Sequence, residues 1–106
     1  MTAAPRPSDG IEASAWDLAH AELVELLRGL IRIPSVNPPP DPGSDGELQA
    51  ARWIADRLLE SGLEPEVVEP FAGRGSVSVR LHGDDTGGDP LLLLGHLDVV
   101  PAPPER

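Results

Sequence analysis

The stretch LLLLGHLDVVP at residues 91–101 decides how the rest of this sequence is interpreted. It opens with a continuous apolar run at residues 91–94, which is typical of a strand covered on both faces of a sheet. The run ends abruptly at Gly95, His96, Leu97 and Asp98. Since open α/β sheets bind ligands beyond the carboxyl ends of their strands, the stretch predicts a buried strand that ends at a functional site.

His96 and Asp98 are the candidate site residues. Side chains two positions apart in an extended segment point the same way, so these two are predicted on one side, with Leu97 on the other. A histidine that binds a metal through one ring nitrogen usually has its other nitrogen held by a carboxylate or carbonyl. The pattern is chemically consistent with His96 as a metal ligand, with Asp98 as its orienting group or as the neighbour of a catalytic carboxylate. A histidine that merely satisfies its hydrogen bonds is the alternative for so short a motif.

Upstream, the apolar spacing predicts two helices. Ser14 with Asp17 resembles a capping pair that opens the first helix, and Pro34 ends it. The first helix has one apolar stripe, formed by Leu23, Leu26, Leu27, Leu30 and Ile31.

The second helix is expected to begin with a capping box of Ser44 and Glu47. It is expected to end at Gly62, with Leu63 as the hydrophobic partner of that glycine. Its apolar face is formed by Leu48, Ala51, Ala55, Leu58 and Leu59.

After the second helix, apolar and polar residues alternate along the sequence, which predicts strands. Residues 66–69 form a short strand in this interpretation, residues 71–75 a turn, and Val77, Val79 and Leu81 the inner face of a half-buried strand. With the run at 91–94, the order is two helices followed by about three strands, and the fold class is α/β. Residues 1–13 are interpreted as a flexible leader, and residues 14–106 as part of one domain.

Composition excludes several classes of function. The 106 residues carry 18 acidic and 8 basic side chains, a net charge of −10, which argues against nucleic acid and anionic membranes as partners. The sequence contains no cysteine, which excludes disulfides and thiolate metal sites and fits a cytoplasmic protein. The longest apolar run is far shorter than the ~20 residues that span a bilayer.

The stretch at residues 91–101 closely resembles the M20 metallopeptidase and deacylase family, whose early motif is an apolar strand followed by G-H-x-D-V-V-P. The upstream chain is similar as well, in the connector IPSVNP at residues 33–38, in ARWI at 51–54 and in LLESGL at 58–63. The resemblance covers nearly everything from about residue 20 onward.

This resemblance implies the N-terminal portion of a zinc-peptidase-like catalytic domain, which in relatives carries an inserted lid or dimerisation domain. It implies hydrolysis of an amide bond in a small peptide or N-acyl amino acid by metal-activated water, with two zinc ions, or cobalt or manganese, and a possible homodimer. His96 matches a zinc ligand, and Asp98 matches the catalytic acid two residues on. The family's other ligands and its general base lie downstream of this motif, so the chain is expected to be truncated, to bind zinc weakly and to hydrolyse nothing.

Other polar residues have simpler interpretations. His82 and His20 are expected to be exposed surface histidines. Asp84, Asp85 and Asp89 lack the calcium-loop pattern and are expected to form a solvated turn. Ser35 and Asn37 are interpreted as stabilising a turn.

A function of a different class stays open, namely a small non-catalytic α/β module that associates with a partner or complementing chain. Since residues 91–94 need cover on both faces and leave an open strand edge, the chain is also expected to be marginally stable or self-associating.

Overall fold

A computed structural model describes residues 10–37, 45–84 and 86–102. The elements in chain order are α1 (Ala13–Ile31), α2 (Glu47–Glu60), β1 (Glu66–Phe71) and β2 (Arg74–Ser78). The chain divides into two units, Met1–Arg32 and Ile33–Arg106. Helices followed by strands confirm a small α/β arrangement. Its membership of a catalytic domain and the flexible leader at residues 1–13 stay predictions.

Helix α1 makes up most of the first unit. It begins one residue before the predicted capping pair, because the backbone carbonyl of Glu12 accepts hydrogen bonds from the amides of Ala15 and Trp16 at 3.0 and 3.3 Å. No side chain caps this end, so the capping role predicted for Ser14 is wrong. The apolar stripe has helical spacing as predicted, but no residue of α1 is buried.

Helix α2 forms the core of the second unit by packing on β2. Its buried side chains are mainly small, which lets the helix lie close to the hairpin: they are Leu48, Ala50, Ala51 and Ala55, together with Glu47. Leu59, predicted on the same face, is exposed. Ser44 lies outside the described residues, and the carboxylate of Glu47 pairs with Arg74. The helix therefore begins after Gly46, whose positive φ of 51° favours glycine, without a side-chain cap.

The end of α2 confirms the predicted glycine cap. Gly62 has a φ of 81°, and its amide donates to the carbonyl of Leu59 at 2.9 Å. The amide of Leu63 donates to the carbonyl of Leu58 at 3.0 Å. This pair of bonds is the Schellman motif, which satisfies the last carbonyls of the helix.

We expect Gly62→Ala to destabilise the second unit by about 1 kcal/mol, because alanine is strained at a positive φ. A Cβ at this position would meet nothing within 4 Å, so backbone strain is the only cost. The shift of the urea-unfolding midpoint measures the effect. An unchanged midpoint would contradict the assignment.

Strands β1 and β2 form an antiparallel hairpin with a tighter turn than predicted. Phe71 pairs with Arg74, which leaves Ala72 and Gly73 as the turn. The φ of Gly73 is 77°, and its amide donates to the Glu69 carboxylate at 3.1 Å. These local bonds extend both strands into the predicted turn, and β2 ends at Ser78, before Val79 and Leu81.

The third predicted strand is not present among the described residues. The four leucines at 91–94 are between 83% and 92% exposed and belong to no strand, so the prediction of a strand covered on both faces is wrong for this structure. The only ladder contact in the described part of this stretch is one parallel bridge between Val36 and Val99. An apolar run forms a strand only where another backbone offers it hydrogen bonds, and no backbone among residues 10–37, 45–84 and 86–102 does so for residues 91–94.

Within the described ranges, neither helix has the length and apolar character needed to cross a bilayer.

Candidate functional site

The backbone brings the connector after α1 to the end of the 91–101 stretch. The amide of Val99 donates to the carbonyl of Ser35 at 3.0 Å, and the amide of Asn37 donates to the carbonyl of Val99 at 3.0 Å. Ser35 is buried at this junction. The parallel bridge therefore sets Asn37 beside Asp98, although 61 positions separate them in sequence.

The side chains of His96 and Asp98 lie in contact, as their spacing predicted. The Nδ1 atom of His96 lies 3.1 Å from Oδ1 of Asp98 and 2.9 Å from the backbone oxygen of the same residue. Both partners are acceptors, so the neutral ring carries its proton on Nδ1 and keeps the Nε2 lone pair free. His96 is 85% exposed. It can offer Nε2 to a ligand from outside.

Asn37 holds the other oxygen of the Asp98 carboxylate. Its Nδ2 donates to Oδ2 of Asp98 at 2.9 Å. This hydrogen bond is the main reason that the pKa of Asp98 lies below its usual range; partial burial opposes the shift, and the contact with His96 adds to it. A lowered pKa keeps the carboxylate ionised to lower pH, and its stabilising interactions are lost only as the pH falls through that pKa.

Arg74 and Glu47 lie behind Asn37. Nη1 of Arg74 donates to Oδ1 of Asn37 at 3.2 Å, and the guanidinium Nε pairs with a carboxylate oxygen of Glu47. Glu47 is only 8% exposed, whereas the Arg74 side chain is 46% exposed, so the carboxylate of this ion pair is withdrawn from water and the guanidinium is not. Glu47, Arg74, Asn37, Asp98 and His96 thus form one continuous chain of polar contacts, called the His96 network below.

The sequence predicts two members of the His96 network, His96 and Asp98. It predicts turns at Asn37 and Arg74 and a helix cap at Glu47, and it indicates no role at the site for these three. The only signal in the sequence was that Asn37 lies in the IPSVNP connector that already supported the family resemblance. Its partners lie far away in sequence, so only the tertiary structure identifies them.

The simpler interpretations hold for the two other histidines and for the acidic loop where these residues are described, but not for Asn37, which belongs to the His96 network. His20 and His82 are exposed. Asp84 accepts hydrogen bonds from the Thr86 hydroxyl and amide at 2.7 and 3.2 Å, which lowers the pKa of Asp84 and forms a local turn. Asp85 lies outside the described residues.

The chemistry of His96 fits a metal ligand, because its imidazole has one nitrogen held by a carboxylate and the other free. In the described part of the chain, however, no three residues of His, Cys, Asp or Glu type converge into a group that could hold a metal ion. A catalytic zinc commonly takes about three protein ligands. Among the described residues, His96 and the adjacent Asp98 are the predicted ligand and orienting group, and a metal-binding role for them stays a prediction.

Comparison with known proteins supports the family resemblance. The chain is 32% identical over 98 residues, 89% of its length, to N-fatty-acyl-amino acid synthase/hydrolase PM20D1 of Xenopus tropicalis, an M20-family protein. It spans 19% of the length of that relative. No family model matches the chain, and no solved structure matches it. The predicted resemblance to the M20 family is confirmed for this stretch of sequence.

Proposed function

We propose that this chain, similar to part of an M20-family protein, contributes a metal-binding histidine to a hydrolase of amide bonds in N-acyl amino acids or small peptides. The observation that carries the proposal is the pairing of His96 Nδ1 with Asp98, which leaves Nε2 free. This is the arrangement that metal-binding histidines use. The match to a synthase/hydrolase of N-fatty-acyl amino acids favours N-acyl amino acids over small peptides as the substrate class.

His96 would hold the metal through Nε2, and Asp98 would fix the ring in the required tautomer and orientation. A bound zinc, cobalt or manganese ion supplies a water of lowered pKa that can attack an amide carbonyl. The negative charge of Asp98 also makes the imidazole a stronger donor to the metal. The remaining ligands and the general base would come from residues outside this network, and we propose a cytoplasmic enzyme that can form homodimers.

We expect the chain alone to bind zinc weakly and to hydrolyse nothing, because one protein ligand cannot hold a catalytic ion. Zinc titration of the ¹⁵N-labelled chain, followed by NMR of the histidine rings, tests the proposal. The His96 signals should respond at lower zinc concentration than those of His20 and His82, and the response should be at Nε2. Asp98→Ala should weaken this preference by about 10- to 100-fold.

Equal responses from the three histidines, or a response at Nδ1 of His96, would contradict a metal-binding role for His96. Tight stoichiometric binding measured by calorimetry would contradict the expected weakness instead, and would mean that the chain supplies more ligands than the described residues bring together.

The exposed leucines at 91–94 favour a second candidate function, association with a partner or complementing chain. A contiguous exposed apolar segment is typical of an interaction surface. Sedimentation measurements of the chain between low and high micromolar concentration test this candidate with the chain itself as partner. Replacement of Leu92 and Leu94 by serine should then abolish any concentration-dependent association.

A further inference from the structure

We infer that Asn37 is a positioning residue for His96 and acts through the Asp98 carboxylate. The inference rests on the proposed function for the role of His96, but the geometry that carries it is independent of any metal. Asn37 touches neither His96 nor the site that Nε2 would offer to a ligand. It orients the Asp98 carboxylate, which in turn orients the His96 ring.

The two oxygens of the Asp98 carboxylate have separate partners. Oδ2 accepts from Nδ2 of Asn37 at 2.9 Å, and Oδ1 lies 3.1 Å from Nδ1 of His96. A carboxylate held only by His96 could turn about its χ2 torsion, which is broad for aspartate. The hydrogen bond from Asn37 removes that freedom and directs Oδ1 at the imidazole.

The Asn37 amide is itself held in one orientation. Its oxygen accepts from the Arg74 guanidinium, and its nitrogen donates to Asp98. If the amide were flipped, its nitrogen would face the guanidinium donor and its oxygen would face the carboxylate, and both hydrogen bonds would be lost. Arg74 is anchored by its ion pair with the largely buried Glu47. The amide thus lies between a cation and an anion. Its acceptor oxygen contacts the guanidinium, and its donor nitrogen contacts the carboxylate.

A neutral amide at this position also leaves one oxygen of the Asp98 carboxylate available to His96. Arg74 pairs with Glu47, and Asn37 separates the guanidinium from Asp98. A direct ion pair with arginine would compete with His96 for the carboxylate, since a guanidinium binds both oxygens in a fork. Asn37 uses one oxygen and leaves the other for the histidine.

A purely structural role for Asn37 would be to join the connector to the 91–101 stretch. The bridge between Val36 and Val99 already makes that junction through the backbone. A residue needed only for the junction would affect stability and leave the histidine ring unchanged. A positioning residue changes the tautomer of His96, which is the readout that separates the two roles.

The test is ¹⁵N NMR of the full chain without metal, at a pH where the His96 ring is neutral. We expect the Nδ1–H tautomer to predominate in the natural sequence. Asn37→Asp keeps the size of the side chain but sets a second carboxylate against Asp98, so the ring should shift towards the Nε2–H form. Asp98→Ala removes the carboxylate but keeps the backbone oxygen that also lies 2.9 Å from Nδ1 of His96, so it defines the part of the shift that the carboxylate controls.

Arg74→Lys provides a second variant in case Asn37→Asp perturbs the fold, because lysine keeps the charge beside Glu47 but loses the guanidinium donor to Asn37. It should shift the tautomer in the same direction by a smaller amount. Arg80→Lys, an exposed position outside the His96 network, is the matched control and should leave the ring unchanged.

An unchanged His96 tautomer in Asn37→Asp and Arg74→Lys, with a shift in Asp98→Ala, would overturn the inference. An unchanged tautomer in Asp98→Ala would overturn it as well, because the carboxylate would then not hold the ring. Failure of the proposed function looks different: the tautomer would respond to Asn37, while zinc would show no preference for His96 over the other two histidines.

Discussion

Replacement of His96 by alanine is expected to lower hydrolysis of an N-acyl amino acid by at least about 100-fold in a suitable chimera. Loss of a group that only orients a metal-binding histidine typically costs about 10- to 100-fold, and loss of the ligand itself should cost more. In the chimera, this chain would replace the matched stretch of the frog relative, which it resembles at 32% identity. The measurement is kcat/KM with an N-fatty-acyl amino acid, before and after removal of metal by a chelator.

His82→Ala is the matched control in the same chimera, since His82 is exposed and lies outside the His96 network. It should leave kcat/KM unchanged. The kcat/KM of Asp98→Asn should lie between those of His96→Ala and His82→Ala, because the asparagine amide can still contact the ring but no longer carries the negative charge. If His96→Ala and His82→Ala had equal activity in a chimera that is active and loses activity on chelation, a metal-binding role for His96 would be wrong.

Gly75→Ala is expected to destabilise the second unit by about 3 kcal/mol, the upper part of the usual range for overpacking. Gly75 is buried in β2 where α2 crosses it, and an added Cβ would lie 2.6 Å from Cδ1 and 2.8 Å from Cα of Leu48. The leucine methyl could turn away, but its Cα belongs to the helix. The helix or the strand would therefore have to shift.

The urea-unfolding midpoint, followed by circular dichroism and by the fluorescence of Trp53 in α2, measures this loss. Gly83→Ala is the matched control, because a Cβ at Gly83 would meet nothing within 4 Å and the residue has no positive φ. Leu48→Ala is destabilising by itself, because Leu48 is buried. Combined with Gly75→Ala it removes the clash with Cδ1 but not the contact with Cα, so the two losses should be less than additive. Equal midpoints for Gly75→Ala and Gly83→Ala would contradict the close approach of α2 and β2.

Local signals in the sequence were reliable where the deciding contacts are local. The glycine at position 62 predicted the end of α2. The hydrogen bonds at this end, from the amides of Gly62 and Leu63 to the carbonyls of Leu59 and Leu58, join residues at most five positions apart. The H-x-D spacing predicted the contact of His96 with Asp98 for the same reason. The hairpin was predicted with the wrong turn, because the Phe71–Arg74 pairing depends on the fit between two strands.

The error at residues 91–94 has a different cause. Four consecutive leucines indicate that a segment needs cover, but the sequence of the segment cannot supply the neighbouring backbone that would make it a strand. Its residues are exposed here and form no ladder. The apolar pattern therefore predicted that residues 91–94 need burial, but it could not identify the segment that would cover them.

The sequence by itself determined the two helices, the presence of a hairpin but not its turn, the glycine cap and the pairing of His96 with Asp98. Each of these depends mainly on residues a few positions apart. Its 91–101 motif also indicated the M20 resemblance. Only the tertiary structure decided that Glu47, Arg74 and Asn37 stand behind that pair. Those contacts depend on a parallel bridge and on the packing of α2 against β2, which join segments that no local pattern connects.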